Sequence, residues 1–111
     1  MNQGISLTVY PVKDIEQAKK LYTTFFGVEP YIASEYYVGY KLGDHEVGLD
    51  PNGPAGGPIT YHDVTDIRKS LQDLLDAGAE LQRDVEDVAN GLLVATVKDA
   101  SGNLLGLRQD S

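Results

Sequence analysis

Apolar positions along the chain follow two alternating rhythms, and the order of those rhythms occurs twice. Ile5 to Val12 is rich in β-formers and reads as a strand. Asp14 then stands where an N-cap belongs, with Gln17 three residues on as in a capping box. Ile15, Ala18, Tyr22, Phe25 and Phe26 recur at helical spacing, and Gly27 is placed to end that helix. A short segment at Val28 to Ala33 follows, then a strand at Tyr36 to Leu42, a Gly43-Asp44 turn and a strand at His45 to Leu49. The second half repeats this order. Ile59 to Val64 reads as a strand, Asp66 as an N-cap, and Ile67, Leu71, Leu74 and Leu75 as the apolar stripe of a helix that Gly78 ends. A segment at Glu80 to Val85, a strand at Leu92 to Lys98, a turn at Asp99 to Gly102 and a strand at Asn103 to Arg108 complete it.

Between the halves lies Asp50 to Pro58, with three prolines and three glycines. The reading is therefore an α+β chain, a single domain of 111 residues built from two β-α-β-β-β modules, 1–50 and 58–111, with a linker at 51–57. Matching phrases mark equivalent positions: Val12-Lys13-Asp14-Ile15 answers Val64-Thr65-Asp66-Ile67, and Val47-Gly48-Leu49 answers Leu105-Gly106-Leu107. A repeat of this length is one supersecondary unit used twice.

Composition narrows the chemistry. Seventeen acidic residues against nine basic give a net charge of −8, which disfavours nucleic acid and favours cationic partners. The same acidity also serves plain solubility. With no cysteine there is no disulfide, thiolate metal site or cysteine nucleophile, in keeping with a reducing compartment. No apolar run approaches the ~20 residues of a membrane span, and Met1-Asn2-Gln3-Gly4 lacks the basic region of a signal peptide, so no membrane partner and a cytoplasmic location are expected. None of the serines sits in a nucleophile elbow or triad arrangement. His45, at a turn beside Asp44 and Glu46, and His62, sharing strand parity with Val64, read as structural histidines.

The order strand, V-x-D, helix ending in glycine, and a closing D-x-x-G-N-x-x-x-L hairpin resembles the vicinal oxygen chelate superfamily, the glyoxalase, bleomycin-resistance and extradiol-dioxygenase group. It is carried by Val12-Lys13-Asp14, Val64-Thr65-Asp66 and Asp99-Ala100-Ser101-Gly102-Asn103-Leu104-Leu105-Gly106-Leu107, and it covers essentially the whole chain. The resemblance implies paired modules forming a cupped mixed sheet around a cleft, and a homodimer. It also implies that enzymes of the group hold a divalent metal through ligands on the first and last strands of each module. Those positions fall on Leu7, Gly48, Ile59 and Gly106, none of which offers a ligating side chain. The chain thus resembles a branch without the metal ligands; no metal, cofactor or catalytic residue is expected.

Strand alternation predicts what lines the cleft instead: Leu7, Val9, Tyr37, Glu46 and Gly48 from the first module, and Ile59, Tyr61, Asp63, Gly106 and Arg108 from the second. Apolar walls with tyrosines and carboxylates suit an aromatic or cationic small molecule. The expected function is metal-independent binding of such a ligand, for sequestration or resistance. Two alternatives stand beside it: a glyoxalase- or dioxygenase-like lyase or oxidoreductase with a non-standard metal site, and a non-catalytic accessory module. The bland reading of Tyr31, Tyr36, Tyr37 and Tyr40 is ordinary strand packing, and that of Glu46 and Asp50 a solvated sheet rim.

Overall fold

The structure, a computed structural model, describes residues 2–53 and 57–110; residues 54–56 of the expected linker lie outside it. Two compact units emerge, Ser6 to Pro58, and Ile59 onward together with the chain's first residues up to Ile5.

The unit that begins at Ser6 takes strand β1 (Asn2–Pro11) from that residue on, then helix α1 (Ile15–Phe26), β2 (Ile32–Ala33), β3 (Val38–Leu42) and β4 (His45–Asp50). The strands lie in the order β2-β3-β4-β1, with β1 and β4 parallel and the other pairs antiparallel. Asp14 caps α1 as its spacing predicts, its carboxylate accepting the Gln17 N–H at 3.1 Å. Gly27 ends the helix in the left-handed region at φ 73° and donates to Thr23 O. Ile15, Ala18, Tyr22 and Phe26 pack on Val38, Tyr40, Val47 and Leu49. Phe25, counted in the same stripe from sequence, instead faces solvent and is 78% exposed. It lies about 100° around the helix from Phe26, off the arc that positions 15, 18, 22 and 26 share. Tyr40 is fully buried. Its hydroxyl, which burial obliges to find partners, bonds to Thr23 Oγ1 and donates to Lys19 O at the helix.

The second unit runs β5 (Ile59–Val64), α2 (Ile67–Asp76), β6 (Glu80–Ala89), β7 (Leu92–Lys98) and β8 (Leu104–Gln109), with strand order β5-β8-β7-β6 and β5 parallel to β8. Asp66 caps α2 through the Lys69 N–H, and the Gln109 side chain accepts from Ile67 N at 2.7 Å. Ile67, Leu71, Leu74 and Leu75 meet Val64, Ala95, Val97 and Leu107. Each unit is thus one β-α-β-β-β module with its helix on one face of a four-stranded sheet.

Several boundaries differ from the periodicity. β3 begins at Val38 rather than Tyr36, because Ser34 Oγ accepts the N–H groups of both Tyr36 and Tyr37 and holds them in a turn. β6 runs on to Ala89 through exposed residues that show no alternation of burial, paired across to β7 with register shifts. β1 extends back to Asn2.

Candidate functional site

Because Tyr10, Val12, Tyr40, Val47 and Leu49 face α1, alternation turns Leu7, Val9, Gly39, Lys41, Glu46 and Gly48 to the opposite face of the sheet. The register sets Leu7 beside Glu46, Val9 beside Gly48, Gly39 beside Gly48 and Lys41 beside Glu46. Gly39 and Gly48 are therefore neighbours on adjacent strands, and between them no side chain rises from the sheet. Glycine inside a strand costs stability and marks close approach of another group. Here the approaching groups are tyrosines. A Cβ built on Gly48 would collide with Tyr37 Oη and lie 2.5 Å from its Cζ; one on Gly39 would lie 3.0 Å from Tyr31 Cε1 and 2.9 Å from Ile32 Cγ2. The Tyr31 hydroxyl donates to Glu46 Oε1 at 2.7 Å, and Lys41 Nζ stands 4.9 Å from the Tyr31 ring centroid. Tyr37, Glu46 and Gly48 are among the residues expected at the cleft; Tyr31, which sits before β2 and carries no strand parity, is not. The signal available for it was the glycine pair, whose vacated volume has to be filled.

In the second unit Ile59, Tyr61 and Asp63 of β5 and Leu104, Gly106 and Arg108 of β8 lie opposite α2, since Val64 and Leu107 face the helix. Gly106 again sits beneath a tyrosine: a Cβ there would lie 2.5 Å from Tyr61 Cδ1 and 2.7 Å from its Cγ. Tyr61 and Gly106 are register partners, as are Asp63 and Arg108, whose side chains approach to 3.7 Å with Arg108 largely buried. Next to them the buried Thr96 hydroxyl bonds to Gln82 Oε1. Nine of the ten residues expected at the cleft thus lie on sheet faces turned away from the helices; the tenth, Tyr37, stands in the turn before β3 and reaches over Gly48.

The positions mapped to metal ligands do not fit a metal. Leu7 and Ile59 are aliphatic, and the volume a ligand side chain would need at Gly48 and Gly106 is taken by tyrosine rings. Among the described residues, no group of three or more histidine or acidic side chains is placed to hold an ion. His45 Nε2 bonds to Thr8 Oγ1 at 2.9 Å, and His62 Nδ1 to Asn2 Nδ2 at 2.9 Å, so both rings tie strands together. Each carboxylate on these faces has a partner: Glu46 has Tyr31, Asp63 has Arg108, and Asp50 accepts the Asn52 N–H in the turn that follows β4. Two shallow depressions lie elsewhere. One, of about 650 Å³, runs along α1 past Gln17, Leu21 and Tyr22; the other, of about 270 Å³, lies between α2 and β6 beside Arg68 and Val85. Among the described residues, no helix is long and apolar enough to cross a membrane.

Paired β-α-β-β-β modules, with the closing strand of each beside its first, define a protein of glyoxalase fold. The sequence profile of the Glyoxalase/Bleomycin resistance protein/Dioxygenase superfamily matches residues 4–107, and the chain belongs to that superfamily. By sequence, no curated protein matches it. Among solved structures it is similar to a superfamily member from Vibrio splendidus 12B01, at 19% identity and TM-score 0.72 with all of both chains covered. It is also similar to methylmalonyl-CoA epimerase from Mycobacterium tuberculosis, at 16% identity and TM-score 0.72, covering 99% of this chain and 89% of that one. The Mn(II)-bound glyoxalase from Novosphingobium aromaticivorans aligns at 18% identity and TM-score 0.76, over 99% of this chain but 40% of its own. Likeness at these identities establishes the fold.

Proposed function

We propose that this chain is a metal-independent binding protein that takes up a small planar aromatic molecule on the tyrosine-bearing faces of its sheets, for sequestration or resistance. One observation carries the reading: the last strand of each module has glycine at the position that the family resemblance gives to a metal ligand, and a tyrosine ring lies over that glycine. The same exchange in both modules removes hard donors, and in the first, where Tyr37 is half-buried and Tyr31 exposed, it leaves flat apolar surface on which a ring can stack with its centroid 4.5–7 Å away. Arg108 offsets the charge of Asp63 on the face, and Tyr31 donates to Glu46. The protein acts as a homodimer in this reading, and exposed Leu21 and Phe25 on α1 support an apolar partner surface.

Metal analysis of the purified protein tests the proposal. The expected result is substoichiometric manganese, nickel, zinc and iron, with ligand binding unaffected by chelator. Stoichiometric metal, together with an activity that chelation abolishes, would overturn it in favour of a lyase or oxidoreductase. A thermal-shift screen of aromatic compounds checks the positive claim, since a guest that binds only the folded state raises Tm.

A further inference from the structure

Tyr31, Lys41 and Glu46 form a cluster that stacking alone does not require. The Tyr31 ring rests against the bare backbone of Gly39, its hydroxyl donates to Glu46 Oε1, and the Lys41 ammonium sits over the ring at 4.9 Å from the centroid. A phenol that donates to a carboxylate gains electron density in its ring, which strengthens the ring's hold on a cation. Lys41 is itself exposed, on a flexible four-carbon stem, and belongs to a chain of net charge −8 whose field draws cations inward. The ring therefore already holds a cation, and that cation is tethered rather than fixed.

We infer that Tyr31 and Glu46 form a recognition subsite for an organic ammonium group, with Lys41 as a built-in competitor that an ammonium-bearing guest displaces. This deepens the aromatic-guest reading and rests on it: the guest's flat part stacks on the tyrosine face while its cationic part replaces Lys41 over Tyr31. Quaternary and tertiary ammonium groups suit the exchange best. They are weakly hydrated compared with a primary ammonium, so they lose less on leaving water for an aromatic face.

The test is an NMR titration of the full chain with phenyltrimethylammonium, tetramethylammonium and neutral benzyl alcohol. In the wild type, phenyltrimethylammonium should shift the Tyr31 ring and the Gly39 and Lys41 amides. Lys41→Met removes the competitor and should tighten phenyltrimethylammonium by roughly two- to fivefold, the range for an exposed cation–π contact, without changing benzyl alcohol. Tyr31→Leu should reduce the ammonium probe to the affinity of benzyl alcohol. Unchanged or weaker binding of phenyltrimethylammonium to the Lys41→Met variant overturns the inference, as does full affinity in Tyr31→Leu. The two readings fail separately. Benzyl alcohol bound by a protein indifferent to charge leaves the stacking platform and removes the subsite; tetramethylammonium shifting Tyr31 while no neutral aromatic binds leaves the subsite and removes the platform.

Discussion

The two modules solve one packing problem from opposite ends of a tyrosine. Gly48 and Gly106 are equivalent in the repeat, and each leaves a gap that a phenol ring fills. Over Gly48 it is the tip of Tyr37, a half-buried side chain reaching in from the turn before β3. Over Gly106 it is the base of the Tyr61 ring, buried to 7% exposure and fixed on the neighbouring strand. A tip can swing aside by rotating about its own side-chain bonds; a ring held at its root by strand backbone cannot. The repeat therefore conserves a volume while allowing its occupant to differ in freedom. The adjacent position differs further: Gly39 is covered by Tyr31 in the first module, where the second has Thr96 bonded to Gln82.

Removing the occupants should show the largest difference between the modules. Tyr61→Ala deletes a buried ring and should cost about 3 kcal/mol, whereas Tyr37→Ala at a half-buried site should cost about 1 kcal/mol; denaturant unfolding measures both. Equal losses would break the comparison. Filling the gaps should give a smaller effect in the same order. Gly106→Ala forces its methyl against a ring that cannot retreat and should cost about 2 kcal/mol, and Gly48→Ala less than about 1 kcal/mol. Combining Gly106→Ala with Tyr61→Ala should then be less damaging than the sum of the two, a coupling that a double-mutant cycle reads directly.

The smallest effect concerns the closing hairpins. In the second module the Asp99 carboxylate accepts the Asn103 side-chain amide at 2.9 Å and the backbone N–H groups of Asn103 and Ser101 at 2.8 and 2.9 Å. The Asn103 side chain first, and then these backbone donors, hold Asp99 below the ordinary carboxylate value. A carboxyl with a lowered folded pKa stabilises the fold above its unfolded value near 3.8, and that contribution is lost as pH falls through the folded pKa. The first module turns on Gly43 at φ 65° instead. Asp99→Asn should therefore flatten the dependence of the unfolding midpoint on pH below about pH 4. An unaltered acid limb would assign it to other carboxylates.

Much of the architecture was legible in the residues. Asp14, Asp66 and Gly27 announce helix ends because capping is local chemistry, settled within four residues. The bounds of β5 and β7 match the β-forming runs Ile59 to Val64 and Leu92 to Lys98 read from the residues. The D-x-x-G-N phrase is likewise local: Asp99 bonds inside its own turn, and Gly102 takes φ 87°, which other residues rarely adopt. Where one-dimensional pattern was silent, partners decided. Nothing in Glu86 to Ala89 alternates, yet these residues are strand because β7 supplies hydrogen bonds to them. Tyr37 shares strand parity on paper but lies in a turn because Ser34 captures its N–H.

Sequence alone determined the repeat, the module order and which strand positions turn away from the helices, because alternation along a strand needs only a period of two. It also determined that Leu7, Gly48, Ile59 and Gly106 lack metal-ligating groups. Only the tertiary structure decided what stands in the glycines' vacated space. Tyr31 is eight residues from Gly39 and fifteen from Glu46 along the chain, and no periodicity links them. Close packing does: a gap on a sheet face has to be filled by whichever side chain the fold brings within reach, and here the side chains brought there are tyrosines.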